Sequence, residues 1–203
     1  LYKLEPIVDN PKFEGFAFVR GESLRGKGRL DWDFCSTDIK AQGRAWSVAP
    51  PAPFWTPQEV VGRVRPFNDY PCVNLLQPAF SRRAVDALRE FLEPNGELLP
   101  LISSVGEYYA YNITTVVDIL DHKRSEIEWM DDQHIVAQII SRFECFAEKM
   151  AGLSIFHIVE KPTSTFVTQP FVDRVTEHGL QGVHFIPLWP LPEGVSWREI
   201  DRK

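Results

Sequence analysis

The chain has 203 residues, of which 44% are hydrophobic and 25% charged, ordinary values for a globular protein long enough to bury a core. The formal net charge of -6 argues against broad nucleic-acid binding, which needs an excess of Lys and Arg to displace counterions from phosphates. The same charge suits a basic protein partner, because opposite charges speed encounter, although it serves solubility equally well.

The cysteines and the hydropathy of the chain predict a cytoplasmic location. Cys35, Cys72 and Cys145 are widely separated and form no CxxC pair, which excludes a zinc ribbon and suits a reducing compartment. The first residues lack the basic and apolar segments of a signal peptide, and no apolar run is long enough to cross a bilayer.

Short strands joined by a glycine-rich turn are predicted near the N-terminus. Residues 16–20 and 29–34 have the composition or the alternation of strands. The intervening sequence GESLRGKG resembles a phosphate-binding loop, but Gly28 has no hydroxyl to ligate magnesium and no helical pattern follows it. We therefore interpret residues 21–28 as a hairpin turn.

A proline-rich stretch at residues 49–57 marks a change along the chain. Proline fixes its own backbone and restrains the residue before it, so this stretch is predicted to be extended and irregular. We expect it to separate a strand-rich part, residues 1–57, from a second part, residues 58–203. The alternative is a surface loop within one continuous domain.

An amphipathic helix is predicted over residues 81–92. Its apolar residues fall on one face at helical spacing, and Ser81 is placed to cap its N-terminus. The sequence PNG at 94–96 ends it. A second helix is predicted over residues 169–178, with Pro170 in its first turn and Gly179 at its end.

Strand patterns occupy much of the remaining chain. The predicted strands are residues 97–103, 107–113, 153–160, 165–168 and 183–187. The tyrosines of residues 107–113 predict an aromatic strand in contact with water. A turn is predicted at Lys161 and Pro162, between the predicted strands 153–160 and 165–168.

Residues 134–150 are ambiguous, because their apolar spacing fits a helix while their later part permits a strand. We favour a helix or loop followed by a strand. Taken together, the patterns predict an α+β fold, with a mostly antiparallel sheet and a few helices packed on one face.

Five short blocks carry a resemblance to a known family. They are GEYYAYN at 106–112, VVDILD at 116–121, LSIFHI at 153–158, STFVT at 164–168 and GLQGVHF at 179–185. In this order they resemble immunity protein family eleven of bacterial polymorphic toxin systems, over residues 70–189. The resemblance implies that residues 58–203 form an immunity-protein-like domain that binds and neutralises a cognate toxin. It carries over no catalytic residue.

An acidic segment, residues 118–134, is the candidate partner-binding surface. Acidic side chains attract a basic partner and fix its orientation, and a central aromatic side chain can add affinity when it becomes buried in the interface. The candidate binding residues are Asp121, Glu126, Glu128, Trp129, Met130, Asp131 and Asp132. The alternative is a solvated loop in which Trp129 folds back onto the core.

Histidines on two predicted strands are the basis of an alternative function, a small metal-dependent hydrolase. His157 and His184 meet at a metal only if their strands are adjacent. A third possibility is a non-catalytic accessory module of a secretion system.

Other catalytic signatures are weak. Asp31 with Asp33, and Asp131 with Asp132, are paired acids of the kind that is usually solvated. Cys145 has phenylalanines close on either side, and such an apolar setting blunts the reactivity of a thiol. We therefore expect no catalysis, no cofactor and no metal.

Overall fold

The computed structural model describes residues 1–8, 10–13, 15–18, 58–62, 68–73, 77–130 and 132–201. Several features named above lie outside the described residues: the turn at 21–28, the strand at 29–34, the proline-rich stretch, Cys35 and Asp131. The division of the chain at residue 57 therefore stays a prediction.

The described residues form twelve β-strands and three α-helices. The strands are β1 (Tyr2–Pro6), β2 (Phe16–Phe18), β3 (Gln58–Gly62), β4 (Ala79–Ser81), β5 (Gly96–Ile102), β6 (Tyr108–Ile113), β7 (Val116–Val117), β8 (Glu126–Trp129), β9 (Ala137–Arg142), β10 (Ile155–Ile158), β11 (Lys161–Val167) and β12 (Val183–Pro187). The helices are α1 (Arg82–Leu92), α2 (Gln169–Glu177) and α3 (Trp197–Asp201), with short 3-10 helices at Pro11–Phe13 and Ala147–Met150. Strands dominate and most pairs are antiparallel, which confirms the predicted α+β class.

The first sheet has the strand order β12-β1-β11-β10-β7. Its second strand, β1, was not predicted from the sequence, yet it pairs with both β11 and β12. Leu4 lies opposite Thr165 on one side and Phe185 on the other. The N-terminal strand thus completes a sheet whose other strands all follow residue 115.

The predicted turn at Lys161 and Pro162 is wrong. Both residues belong to β11, and the turn lies one step earlier, at Val159 and Glu160. Pro162 is compatible with a strand at this position because the pairing of β10 with β11 shifts register nearby, and proline is tolerated at such irregularities.

The second sheet, β2-β3-β5-β6-β4, buries the tyrosine strand that was expected to contact water. β6 lies between β5 and β4, so both of its edges are paired, and its side chains are packed into core clusters on both faces. Tyr111 packs in the core beneath α1, whereas Tyr108 packs in a separate cluster with Phe16. The buried hydroxyls are satisfied: Tyr111 donates to the Leu92 carbonyl at 2.8 Å and Tyr108 to the Asn68 carbonyl at 3.1 Å.

Helix α1 begins where the sequence predicts. Ser81 is its N-cap, and the hydroxyl accepts a hydrogen bond from the Ala84 N–H at 3.1 Å. The apolar face of α1 buries Val85, Leu88 and Leu92 and contacts α2, which packs Phe171 into the same core. Predicted helix 169–178 and predicted strand 183–187 are confirmed as α2 and β12.

The order predicted for residues 134–150, a helix or loop followed by a strand, is confirmed, because residues 134–136 form a loop and β9 follows it. The 3-10 helix Ala147–Met150, which comes last, was not predicted. β9 pairs antiparallel with β8 in a two-stranded sheet. A register shift explains why the sequence pattern is ambiguous here: Ala137 and Ile139 lie opposite neighbouring residues of β8, so the extra residue Gln138 breaks the alternation that marks a regular strand.

A second core cluster joins the first sheet to β9. Ile140 from β9 and Phe143 pack with Phe156, Phe166 and Ile186 from the first sheet. Partly buried side chains around this cluster include Ile127 and Trp129 of β8, so the two-stranded sheet is anchored by apolar burial. Among the described residues, no helix combines the length and hydropathy needed to span a bilayer.

Candidate partner-binding surface

The acidic segment is not wholly a loop, because residues 126–129 form β8. Successive side chains of a strand point to opposite faces. Glu126 and Glu128 are exposed, whereas Ile127 and Trp129 are half-buried toward the second core cluster. The backbone N–H of Met130 donates to the Val136 carbonyl at 2.9 Å and holds the chain where it leaves the strand.

Trp129 lies between two histidine rings. The His122 ring meets it edge-on with centroids 5.3 Å apart, and the His134 ring stacks on it at 5.2 Å. His134 adopts a φ of 54°, in the left-handed region that non-glycine residues seldom occupy. Trp129 packs against the second core cluster, as one part of the alternative interpretation expected, but the segment around it is a strand and not the solvated loop of that interpretation.

His122 also contacts a buried carboxylate. Its Nε2 atom lies 2.5 Å from Oε1 of Glu160, a residue that is only 1% exposed. The other oxygen, Oε2, is buried and has no hydrogen-bond partner. Burial raises the pKa of Glu160, while the hydrogen bond from His122 acts in the opposite direction.

Several of the acids are occupied by intramolecular contacts. Asp118 pairs with Lys149 at 3.3 Å, and Glu126 lies 3.5 Å from Arg142. Oδ1 of Asp121 accepts the Lys123 backbone N–H at 3.0 Å, which closes a turn. These three carboxylates thus have structural roles, although Glu126 remains exposed.

What remains available is a small surface next to β8. Within the described part of the chain, the side chains of Glu128 and Asp132 have no hydrogen bond or ion pair, and both residues are exposed. Met130 is 67% exposed, the largest exposed fraction among the big apolar side chains described. We call Glu126, Glu128, Met130 and Asp132 the β8 surface.

The two histidines of the hydrolase alternative do not converge. His157 lies on β10 and His184 on β12, and the strands β11 and β1 separate them. Three strand spacings of about 4.8 Å each make this a gap of about 14 Å. Burial lowers the pKa of His157 to about 4, and its Nδ1–H donates to the Ser164 carbonyl at 2.8 Å, while Nε2 of His184 lies 3.1 Å from Asp201.

The two described cysteines are buried and unreactive. Cys72 and Cys145 are free thiols, and burial raises the pKa of each to about 12. A thiol with such a pKa is almost wholly protonated at neutral pH and is a poor nucleophile. No group of three or more His, Cys, Asp or Glu side chains suited to a metal ion occurs among the described residues.

A comparison with protein families decides how this arrangement is interpreted. Residues 101–188 match the immunity protein family (Imm11). The match confirms the resemblance inferred from the sequence blocks, and it indicates an immunity function directed against a toxin. No curated protein matches the chain.

The Imm11 region runs from the end of β5 to just beyond β12 and includes the whole β8 surface. It excludes β1 and α1, although β1 pairs with two strands of the region and α1 contacts α2. Residues outside the match therefore complete the fold of the residues inside it.

The sequence patterns missed His122, His134 and Glu160 as the residues that hold the Imm11 region's acidic strand in place. Only His122 and His134 lie in the acidic segment, and neither has a spacing that marks a contact with Trp129. Glu160 lies on a turn, where an acid is usually solvated, so its burial gives no signal in the sequence.

Proposed function

We propose that the chain is an immunity protein that binds and neutralises a cognate bacterial toxin. In this proposal the toxin is an effector of a polymorphic or contact-dependent secretion system, and binding occludes its active site without catalysis. The protein acts in the cytoplasm, where such a toxin would otherwise meet its target. The observation that carries the proposal is the family match over residues 101–188.

We place the toxin contact at the β8 surface, and Asp121 and Asp131 remain candidates because they belong to the same acidic segment of the sequence. The exposed acids Glu128 and Asp132 keep their charges free for a partner, and the net charge of -6 favours a basic one. Charged residues at a rim speed association and fix the orientation of the partner, whereas an apolar centre supplies affinity.

Met130 is the apolar centre in this proposal, in place of Trp129. A methionine side chain is flexible and adapts to the shape of the surface it meets. Trp129 is already packed between His122 and His134, so it stabilises the position of the strand. Its contribution to binding is indirect.

The experiment that tests the proposal is co-expression with the toxin encoded by the neighbouring gene. Expression of this chain should restore growth, and a tagged form should retain the toxin through purification. Growth that is not restored, together with no retained toxin, would overturn the proposal. Restored growth without a stable complex would point instead to a catalytic protection and would count equally against it.

A further inference from the structure

A cavity of about 150 Å³ lies beside β9, where β9, the first sheet and α3 meet. The first sheet contributes Lys3 and Lys161, and α3 contributes Arg198. The rest of the lining comes from β9 and from five further residues: Phe143, Ser164, Phe166, Leu188 and Trp197. The cavity shares no lining residue with the β8 surface.

Three cationic side chains from three different elements converge on this cavity. Lys3 forms an ion pair with Glu5 on the same strand. In the residues that the structure describes, neither Lys161 nor Arg198 has a carboxylate partner. Two of the three positive charges are therefore not neutralised by an acid among the described residues, in a chain whose net charge is -6.

Lys161 retains unused donors at the cavity. Its Nζ atom donates to the Gln138 carbonyl at 2.6 Å, and an ammonium group has three N–H donors. Burial lowers the pKa of Lys161, and the positive charge of Lys3 lowers it further. An anion bound beside both lysines would oppose both effects, because an opposite charge stabilises the protonated amine.

The floor of the cavity is apolar. Phe143, Phe166 and Leu188 line it, and all three are buried. An apolar floor beneath a few convergent polar groups is the usual composition of a small-molecule site.

The volume sets the size of the occupant. Pockets for drug-sized ligands measure about 300–1,000 Å³, whereas an engineered cavity of about 150 Å³ accepts a benzene molecule. The space therefore suits one acidic side chain or a small organic acid, and it is too small for a nucleotide.

We propose that this cavity is a carboxylate-binding site, in which Lys161 and Arg198 hold the carboxylate and the apolar floor holds the body of the ligand. The carboxylate comes either from a free organic acid or from an acidic side chain of a protein partner. The chemistry is the same for both sources: charge-assisted hydrogen bonds from an ammonium and a guanidinium group.

Benzoate and its neutral analogue benzamide are the probes that test the site. Ligand-observed NMR and calorimetric titration of the full chain should detect benzoate binding that benzamide does not reproduce. Lys161→Gln and Arg198→Gln should each weaken benzoate binding by about tenfold, the loss expected for one charge-assisted hydrogen bond. Lys161→Arg, which keeps the charge, should retain most of the affinity.

The matched control is Lys123→Gln, which removes an exposed lysine that does not line the cavity. It should leave benzoate binding unchanged. The proposal is overturned if benzoate and benzamide bind alike, or if both cavity variants bind benzoate as the wild-type chain does. Circular dichroism of each variant distinguishes a lost site from a lost fold.

Adding the toxin separates the two sources of the carboxylate. If the toxin supplies it, millimolar benzoate and Lys161→Gln should both weaken the toxin complex. If a free acid is the ligand, toxin affinity should stay unchanged while benzoate still binds. Because benzoate binding is measured without toxin, it remains informative whatever the outcome for the proposed function.

Discussion

The Nε2 atom of His122 and the Oε1 atom of Glu160 lie 2.5 Å apart, and this contact joins the acidic segment to the turn between β10 and β11. The backbone carbonyl of Glu160 also accepts the Ala137 N–H at 2.9 Å. Glu160 thus connects the first sheet to β9 through its backbone and to the segment before β8 through its side chain. The position of the β8 surface depends on this residue.

The pH dependence of stability should reveal Glu160. Burial raises its pKa above the ordinary value of 4.5, and the groups that face it are His122 and Asp118. At a pH between the pKa of Glu160 in the unfolded state and its higher pKa in the folded state, the unfolded state has released a proton that the folded state keeps. Glu160 therefore makes the free energy of unfolding fall as pH rises. In Glu160→Gln that contribution should disappear, as measured by urea unfolding from pH 4 to 8. Identical slopes in the two proteins would contradict this assignment.

Asp69 should be a major determinant of stability. This residue is 1% exposed, and its carboxylate accepts the Ser81 hydroxyl at 2.6 Å, the Gln181 N–H at 2.8 Å and the Arg83 side chain. Asp69→Asn should lower the free energy of unfolding by about 2–3 kcal/mol, because hydrogen bonds to a buried charged group are lost. The control, Asp86→Asn on the exposed face of α1, should change it by less than about 0.5 kcal/mol. Equal effects in denaturant titrations would refute this role.

Two glycines with similar positive φ angles allow the cost of a steric clash to be separated from the cost of backbone strain. Gly182 has a φ of 87°, and an added Cβ would lie 2.0 Å from Oδ1 of Asn68. Gly152 has a φ of 78°, and an added Cβ would have no atom within 4 Å. Both alanine variants incur the backbone cost of about 1 kcal/mol, but only Gly182→Ala adds a clash. Thermal unfolding should therefore show the larger loss for Gly182→Ala, and a similar loss in both would disprove the clash.

Charge reversal should separate the β8 surface from the rest of the acidic surface. In the double variant Glu128→Lys and Asp132→Lys, association with the toxin should slow at low salt and lose most of its salt dependence. The control, Glu148→Lys with Glu193→Lys, makes the same change in net charge at two exposed acids elsewhere. Stopped-flow association rates at several salt concentrations provide the measurement. If the control slows association as much as the test variant, net charge alone is responsible.

Local signals predicted the elements whose interactions are local. Each of three correct predictions depends on residues within a single element. They are the serine cap and apolar face of α1, the proline at the start of α2 and the alternation of β12. The strand β1 was missed because its pairing partners lie more than 150 residues away. The pattern of β9 was ambiguous between helix and strand because the extra residue Gln138 breaks its alternation.

The acidic segment was recognised from its composition, but its architecture was not. Composition gives no information on which acids are neutralised, and only the structure pairs Glu126 with Arg142 and Asp118 with Lys149. The burial of Glu160 and the stacking of His134 on Trp129 arise from tertiary packing. For the same reason, the convergence of Lys3, Lys161 and Arg198 has no counterpart in the sequence.

A stoichiometric titration of toxin activity in vitro tests the central claim most directly. The toxin is held at a concentration far above the dissociation constant, and its residual activity is measured as this chain is added. A protein that binds and occludes should reduce the activity linearly to zero at one equivalent. Complete inactivation by a small fraction of an equivalent, increasing with time, would show turnover and contradict the account, as would full activity at excess.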